Sequence, residues 1–377
     1  MTVASKRRQL HPAAWWLWAG GLAAAAARTT NPVLCGLVLA VAAYVVAARR
    51  APAPWARSFG SFLKLGLFII GLRMVVQMLF GRRLPGTEVF AVPSVVLPSW
   101  AAGVTVGGPV TVEAMVQAFC EAFRLAVILA CFGAVNSLCS PYRMLRCLPA
   151  ALYEAGVAVT VALGFAPEAV VSLGRIREGR HLRGRPDRGI RGLRGLAMPV
   201  LEGALDRSID LASSMDSRGY GRRAGTSGWA RRAAVWGVGG ALMVVCVGVY
   251  LVLDGSSPRA LALPLVAMGS LGLAIALVSG GRRSPRTRYR PDPWQMPEWL
   301  TAASGAVAFA AVSISAALEP SSLQMSFFPL TAPALPLVAV AGICAGLLPA
   351  FVAPEPPGLW SPHRDTARFA RVAEAVT

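Results

Sequence analysis

Eight stretches of this chain, at 10–27, 33–48, 58–80, 114–136, 233–253, 260–279, 299–318 and 334–352, run for 16 to 23 residues with few or no charged side chains. A helix rises about 1.5 Å per residue, so roughly 20 such residues cross the roughly 30 Å hydrocarbon core of a bilayer. Backbone polar groups in lipid must be satisfied inside the segment, and the α-helix is the form that does this for a single run. The predicted fold is all-α, a polytopic membrane protein of about eight transmembrane helices with amphipathic helices at one face. A hydrophobic content of 55% excludes an ordinary soluble domain. The first run follows Lys6-Arg7-Arg8 like a signal peptide, but a second run begins after only five residues, so the first is read as a retained helix.

The net charge of +19 does not point to nucleic acid, because the arginines sit at the ends of apolar runs and in the loops between them. A ninth apolar run, Ala150 to Val171, decides the topology. With a cytoplasmic N-terminus and that run not crossing, 30 Lys and Arg fall inside and 4 outside, as the positive-inside rule requires. Letting it cross would export the 14 arginines of 172–232. The run is therefore read as a helix at the inner face, broken by Pro149 before it and Pro167 near its end. Both termini are then cytoplasmic.

Few residues suggest chemistry. The seven cysteines (35, 120, 131, 139, 147, 246, 344) form no CxxC pair, and His11, His181 and His363 have no neighbours at ligand spacing, so no metal site and no disulfide framework is expected. Neither Lys6 nor Lys64 follows a glycine, which excludes a phosphate-binding GxxxxGK[ST] loop. Within the spans, Lys64 and Arg73 lie close enough to opposite helix ends to snorkel, and Glu121 and Arg124, at i and i+3, are expected to pair. The outer loop 81–113, with its β-branched runs and Gly-Pro turns, suits a short hairpin.

The segment 172–232 is different in kind. A helix is expected from Glu168 to Leu182, with Pro167 and Glu168 suited to its first turn and Gly184 behind it. A second is expected from about Ala197 to Ser217, where Leu201, Leu205, Ile209, Ala212 and Met215 recur on one face and Gly219 closes the end. Each helix carries an arginine at its tip, Arg183 and Arg218. A guanidinium there could dock in an acidic groove of a partner or anchor to lipid headgroups, and residue chemistry leaves both open. Glu202, Asp206 and Asp210 form an acidic stripe expected to pair with Arg175, Arg177 or Arg180.

The order of four helices, an apolar surface helix, two amphipathic helices ending in X-Arg-Gly and a further span resembles the T component of energy-coupling factor transporters, the family that includes the membrane component of cobalt and nickel uptake systems. Local likenesses run from Asn31-Pro32 through Ser140-Pro141 and Phe165-Ala166-Pro167 to Ser214-Met215-Asp216-Ser217-Arg218-Gly219-Tyr220, over about residues 10–253. The resemblance implies a scaffold that docks two ATP-binding cassette ATPases through Leu182-Arg183-Gly184 and Ser217-Arg218-Gly219. Leu182 stands where the family commonly has Ala, and Arg-Gly pairs at 188, 191 and 194 compete for the first role. Ala204, Ala212 and Ser213 are implied contacts to a small substrate-binding membrane component. The chain itself would be no enzyme and bind no cofactor, ATP and Mg being used by the ATPases, and the cargo would be a vitamin or a transition-metal ion. The implied location is a bacterial plasma membrane. Four regions follow: helices 1–140, coupling helices 141–232, C-terminal helices 233–353 and a tail 354–377. The alternative is a secondary transporter or other permease working without an ATPase.

Overall fold

The computed structural model describes residues 9–51, 58–80, 86–96, 105–147, 153–184, 189–220, 228–254, 259–282, 294–327 and 330–354. Pro149, Arg188 and the tail beyond Pro354 lie outside the described residues. The chain is all-α and polytopic apart from one hairpin. It divides into two compact units, Met1–Met144 with Pro291–Thr377, and Leu145–Arg290.

The first unit contains α1 (Pro12–Ala27), α2 (Pro32–Arg49), α3 (Ser58–Phe80), β1 (Glu88–Val96), β2 (Thr105–Thr111), α4 (Val112–Leu138) and α5 (Pro141–Arg146), then α10 (Met296–Leu318), α11 (Pro320–Leu323), α12 (Leu337–Ala345) and α13 (Leu348–Val352). Two helix starts are written in the sequence. His11 and Asn31 each precede a proline, and their side chains accept from the backbone N–H of Ala13 at 3.2 Å and Val33 at 3.0 Å. A cap oxygen or ring nitrogen satisfies an otherwise orphaned donor, and proline at the first helical position has no N–H to lose. The expected hairpin is present, β1 pairing antiparallel with β2, and Glu113 accepts the Thr87 N–H at 2.9 Å beside it.

The core lies where α1, α2, α4, α10 and α12 meet, around Trp18, Leu22, Leu34, Val38, Val127, Val312 and Ile343. The contact of α1 with α10 is backbone to backbone: a Cβ on Gly21 would strike the Gly305 carbonyl, and one on Gly305 would strike the Trp18 backbone. Glycine is required there for the close approach. At one end of the bundle, Thr29 Oγ1 donates to the Leu323 carbonyl at 2.8 Å and Asn31 Nδ2 to that of Ala334 at 2.6 Å. At the other end, Arg49 donates to the Ala350 carbonyl at 2.6 Å, Arg143 to that of Leu10 at 3.0 Å, and the His11 N–H reaches Glu298 at 3.4 Å. Between the ends, the Trp18 indole N–H bonds the carbonyl of Gly346, 2.9 Å away. The run predicted at 334–352 is therefore two short helices, α12 and α13, separated at Gly346 and Leu347, not one continuous span.

The second unit holds α6 (Tyr153–Leu182), α7 (Gly189–Ser217), α8 (Gly228–Asp254) and α9 (Arg259–Arg282). The last two form an antiparallel pair locked at small residues, Gly248 lying on Val266 and Gly269 on Val245. Such contacts let helices approach closely where lipid offers no hydrophobic driving force.

Three expectations are corrected. Pro167 does not break a helix: α6 runs continuously through it, so the surface helix and the first amphipathic helix are one element. A proline removes one N–H and bends the ladder, yet a long apolar helix absorbs the loss. The second helix starts eight residues earlier than expected, at Gly189, and contains Pro199. Glu121 pairs with Arg73 of α3 at 2.9 Å, and not with Arg124 on its own helix. Its carboxylate faces the α3–α4 seam, where Gln117 donates to the other oxygen at 3.1 Å. Among the described residues six helices are long and apolar enough to cross a membrane, namely α2, α3, α4, α6, α8 and α10, with shorter apolar stretches at Leu261–Ala276 and Leu337–Val352.

Candidate functional site

Two helix ends carry the candidate residues, and they are built alike. At the end of α6 the Gly184 N–H bonds the His181 carbonyl at 3.0 Å, and Gly184 takes φ +69°. At the end of α7 the Gly219 N–H bonds the Asp216 carbonyl at 2.8 Å and the Tyr220 N–H reaches back to Met215 at 3.0 Å, with Gly219 at φ +75°. The second pattern is a complete Schellman closure, in which a left-handed residue turns the chain so that the last carbonyls find donors. A side chain at φ near +70° is penalised and glycine is not. In both cases the residue just before the glycine is arginine, so the local geometry sets a guanidinium at the rim of a closed helix end. Its positive charge also suits the negative pole of the helix.

Leu182, Arg183, Gly184, Ser217 and Arg218 are exposed, Leu182 at 82%, and Gly219 is partly covered. The Ser217 hydroxyl is turned inward on the helix, donating to the Ser214 carbonyl at 2.9 Å. Ser208, Ser213 and Ser214 bond their own helix in the same way.

The competing Arg-Gly pairs have other positions. Arg191-Gly192 and Arg194-Gly195 lie inside α7. Among the described residues the glycines with positive φ are 107, 108, 184 and 219, so the two Arg-Gly pairs that end a helix in this way are at 183 and 218. Gly195 is a packing site: the Arg180 guanidinium lies over it, where a Cβ would strike it. The α6–α7 pair is further joined by Arg207 and Glu168, 3.0 Å apart and both about 40% exposed. This replaces the expected pairing of the acidic stripe. Glu202, Asp206 and Asp210 are exposed, and among the described residues no ion pair reaches them. The α7 residues that meet α6 are Gly195, under Arg180, and Arg207, paired with Glu168, rather than the stripe. Arg207 and Glu168 both lie on helices expected from the sequence, but no spacing within either helix links them.

The apolar face of α7 is uncovered. Met198, Leu201, Leu205 and Ile209 are all exposed, as are Ala204, Ala212 and Ser213. The arrangement is a helical pair held along one side, with an apolar face and two arginine tips open. Among the described residues no group of three or more His, Cys, Asp or Glu is placed to hold a metal ion.

No curated protein matches the sequence significantly. The family model described as CbiQ, cobalt transport protein, matches residues 4–227, which is more than half of the chain and spans α1 to α7 with both arginine tips. The chain thus belongs to the CbiQ cobalt transport protein family, the T components of energy-coupling factor transporters.

Proposed function

We infer that this membrane transport component is the scaffold and energy-coupling subunit of an ATP-driven importer, docking two ATP-binding cassette ATPases through Arg183 and Arg218. The observation that carries this reading is the pair of matching helix ends, each with an exposed arginine set by a left-handed glycine. A guanidinium held on a rigid end can make bidentate contacts in an acidic groove, and the side-chain-free glycine beside it allows the partner backbone to come close. One such tip would be an ordinary helix stop; two, on helices tied by Arg207–Glu168 and Arg180 over Gly195, suit two copies of a similar partner.

In this reading both tips are cytoplasmic. α6 is long and apolar enough to span, but keeping it at the inner face leaves 30 Lys and Arg inside against 4 outside, in agreement with the positive-inside rule, and the membrane is a bacterial plasma membrane. The ATPases bind ATP and Mg, this chain is no enzyme, and the cargo, a vitamin or a transition-metal ion such as cobalt, is held by a separate small membrane component resting on the open face of α7.

The test is co-purification of the tagged chain from native membranes in mild detergent, wild type against an Arg183→Glu, Arg218→Glu double variant. ATPases should accompany wild type and fall at least tenfold with a variant that accumulates normally. Their absence from wild type, under conditions that preserve known membrane complexes, would overturn the reading in favour of a permease that needs no ATPase.

A further inference from the structure

At one end of the first unit the helices leave an open hollow, about 530 Å³ counted to its mouth. It is walled by the start of α1, the end of α2, the turn from α4 into α5, and Pro354 after α13. A hollow at the ends of apolar helices lies at the level of the lipid headgroups rather than in the hydrocarbon. Part of its wall is apolar, formed by Pro12, Trp15 and Leu138.

Two arginines, Arg49 and Arg143, line the hollow, and the described lining residues include no Asp or Glu. The acceptors that fix Arg49 are neutral. It donates through Nε and Nη2 to the Ala350 carbonyl at 2.8 and 2.6 Å, and through Nη2 to that of Phe351 at 3.3 Å. Its Nη1 makes no hydrogen bond with a described residue, and no described carboxylate forms an ion pair with it. Arg143 donates to uncharged acceptors as well, Gln9 Oε1 at 2.9 Å and the Leu10 carbonyl at 3.0 Å. A carbonyl orients a guanidinium without cancelling its charge, so the hollow is held electropositive.

We propose that the hollow between Arg49 and Arg143 is a binding site for a phosphate group, carried by an anionic phospholipid or free in solution. Guanidinium N–H groups fit phosphate oxygens in number and geometry, and basic pockets between helix ends are where lipid phosphates lodge. Ser140 adds a hydroxyl to the lining. A nucleotide would need a ring to stack on. The aromatic side chain in the described lining, Trp15, is 6% exposed and already packed edge-on against Trp18. The apolar part of the wall suits the glycerol and first acyl carbons of a lipid instead. The site uses neither arginine tip and needs no ATPase.

The experiment uses the full-length chain purified in mild detergent, with phosphatidylglycerol or phosphatidylcholine added and bound lipid counted by native mass spectrometry. Phosphatidylglycerol should be retained at least about fivefold more than phosphatidylcholine, whose choline sets a cation against the arginines; that is the worth of about one arginine near an anionic headgroup. Arg49→Gln with Arg143→Gln should remove the preference. Because both arginines also tie chain segments together, Ala51→Glu is the second variant. It adds a carboxylate to the lining, leaves both arginines in place, and should remove the preference with Tm unchanged. Millimolar inorganic phosphate, against chloride of equal ionic strength, tests the other source. A preference for phosphatidylglycerol assigns the site to lipid. Equal retention of the two lipids, with a phosphate-induced rise in Tm that Ala51→Glu abolishes, assigns it to soluble phosphate. Equal retention with no such rise overturns the proposal, as does a preference or a rise that Ala51→Glu leaves intact. The scaffold reading is untouched by any of these results, since none involves an ATPase.

Discussion

The contact of α1 with α10 and that of α6 with α7 join helices of similar character by opposite means. In the first, glycines bring two backbones together, and Trp18, Leu22 and Val312 are wholly buried beside them. In the second, a half-exposed ion pair and one arginine over one glycine are the named links, and Leu201, Leu205 and Ile209 remain uncovered. The first pair is complete in itself. The second leaves apolar side chains of α7 open to lipid or to a partner.

The contrast can be broken most sharply at Gly305. A Gly305→Val substitution drives a side chain into the backbone of α1 and should cost about 3 kcal/mol, near the top of the range for overpacking. The check is recovery of monodisperse protein in detergent, which should collapse; normal recovery would mean the α1–α10 contact is not tight. Next comes Trp18→Phe, which leaves the buried Gly346 carbonyl without its donor and should cost about 1–3 kcal/mol, read as a lowered Tm. Gly219→Ala forces a β-carbon onto a left-handed residue, for about 1 kcal/mol. Its effect should be local, seen as faster hydrogen exchange in the last turn of α7 with Tm nearly unchanged. Smallest is Glu168→Gln, since an ion pair this exposed is worth about 0–1 kcal/mol. A Tm drop with Glu168→Gln as large as that of Trp18→Phe would show that the α6–α7 pair is as tightly built as the frame of the first unit.

The frame was legible where lipid chemistry dictates it. The apolar runs 10–27 and 33–48 marked α1 and α2, and the β-branched loop gave the hairpin. The two arginine tips were legible because glycine after a helical pattern has few other uses. What the sequence could not carry is pairing across distance. Glu121 had two arginines within reach, and only the packing of α3 on α4 selects Arg73. The stripe of Glu202, Asp206 and Asp210 was matched to arginines of α6 by number, but rotation of α7 about its axis presents Arg207 instead. Pro167 was read by its intrinsic cost, which a long apolar helix outweighs. The C-terminal helices gave no sign of where they pack, because their bonds run from side chains of α1, of α2 and of the turn between them to bare carbonyls of 323, 334, 346 and 350. A carbonyl has no sequence signature.

Those same bonds have a consequence for synthesis. Trp18 and its acceptor are 328 positions apart, and Arg49 and its acceptor 301. At roughly 5–20 residues added per second, α1 and α2 spend on the order of tens of seconds in the bilayer before the helices that cover them exist. During that interval the first unit is an unfinished bundle with its glycine faces unsealed, and everything between α5 and α10 is made while the frame stands open. The helices of 296–352, made long after α1 and α2, are thus the ones that close the older part of the frame.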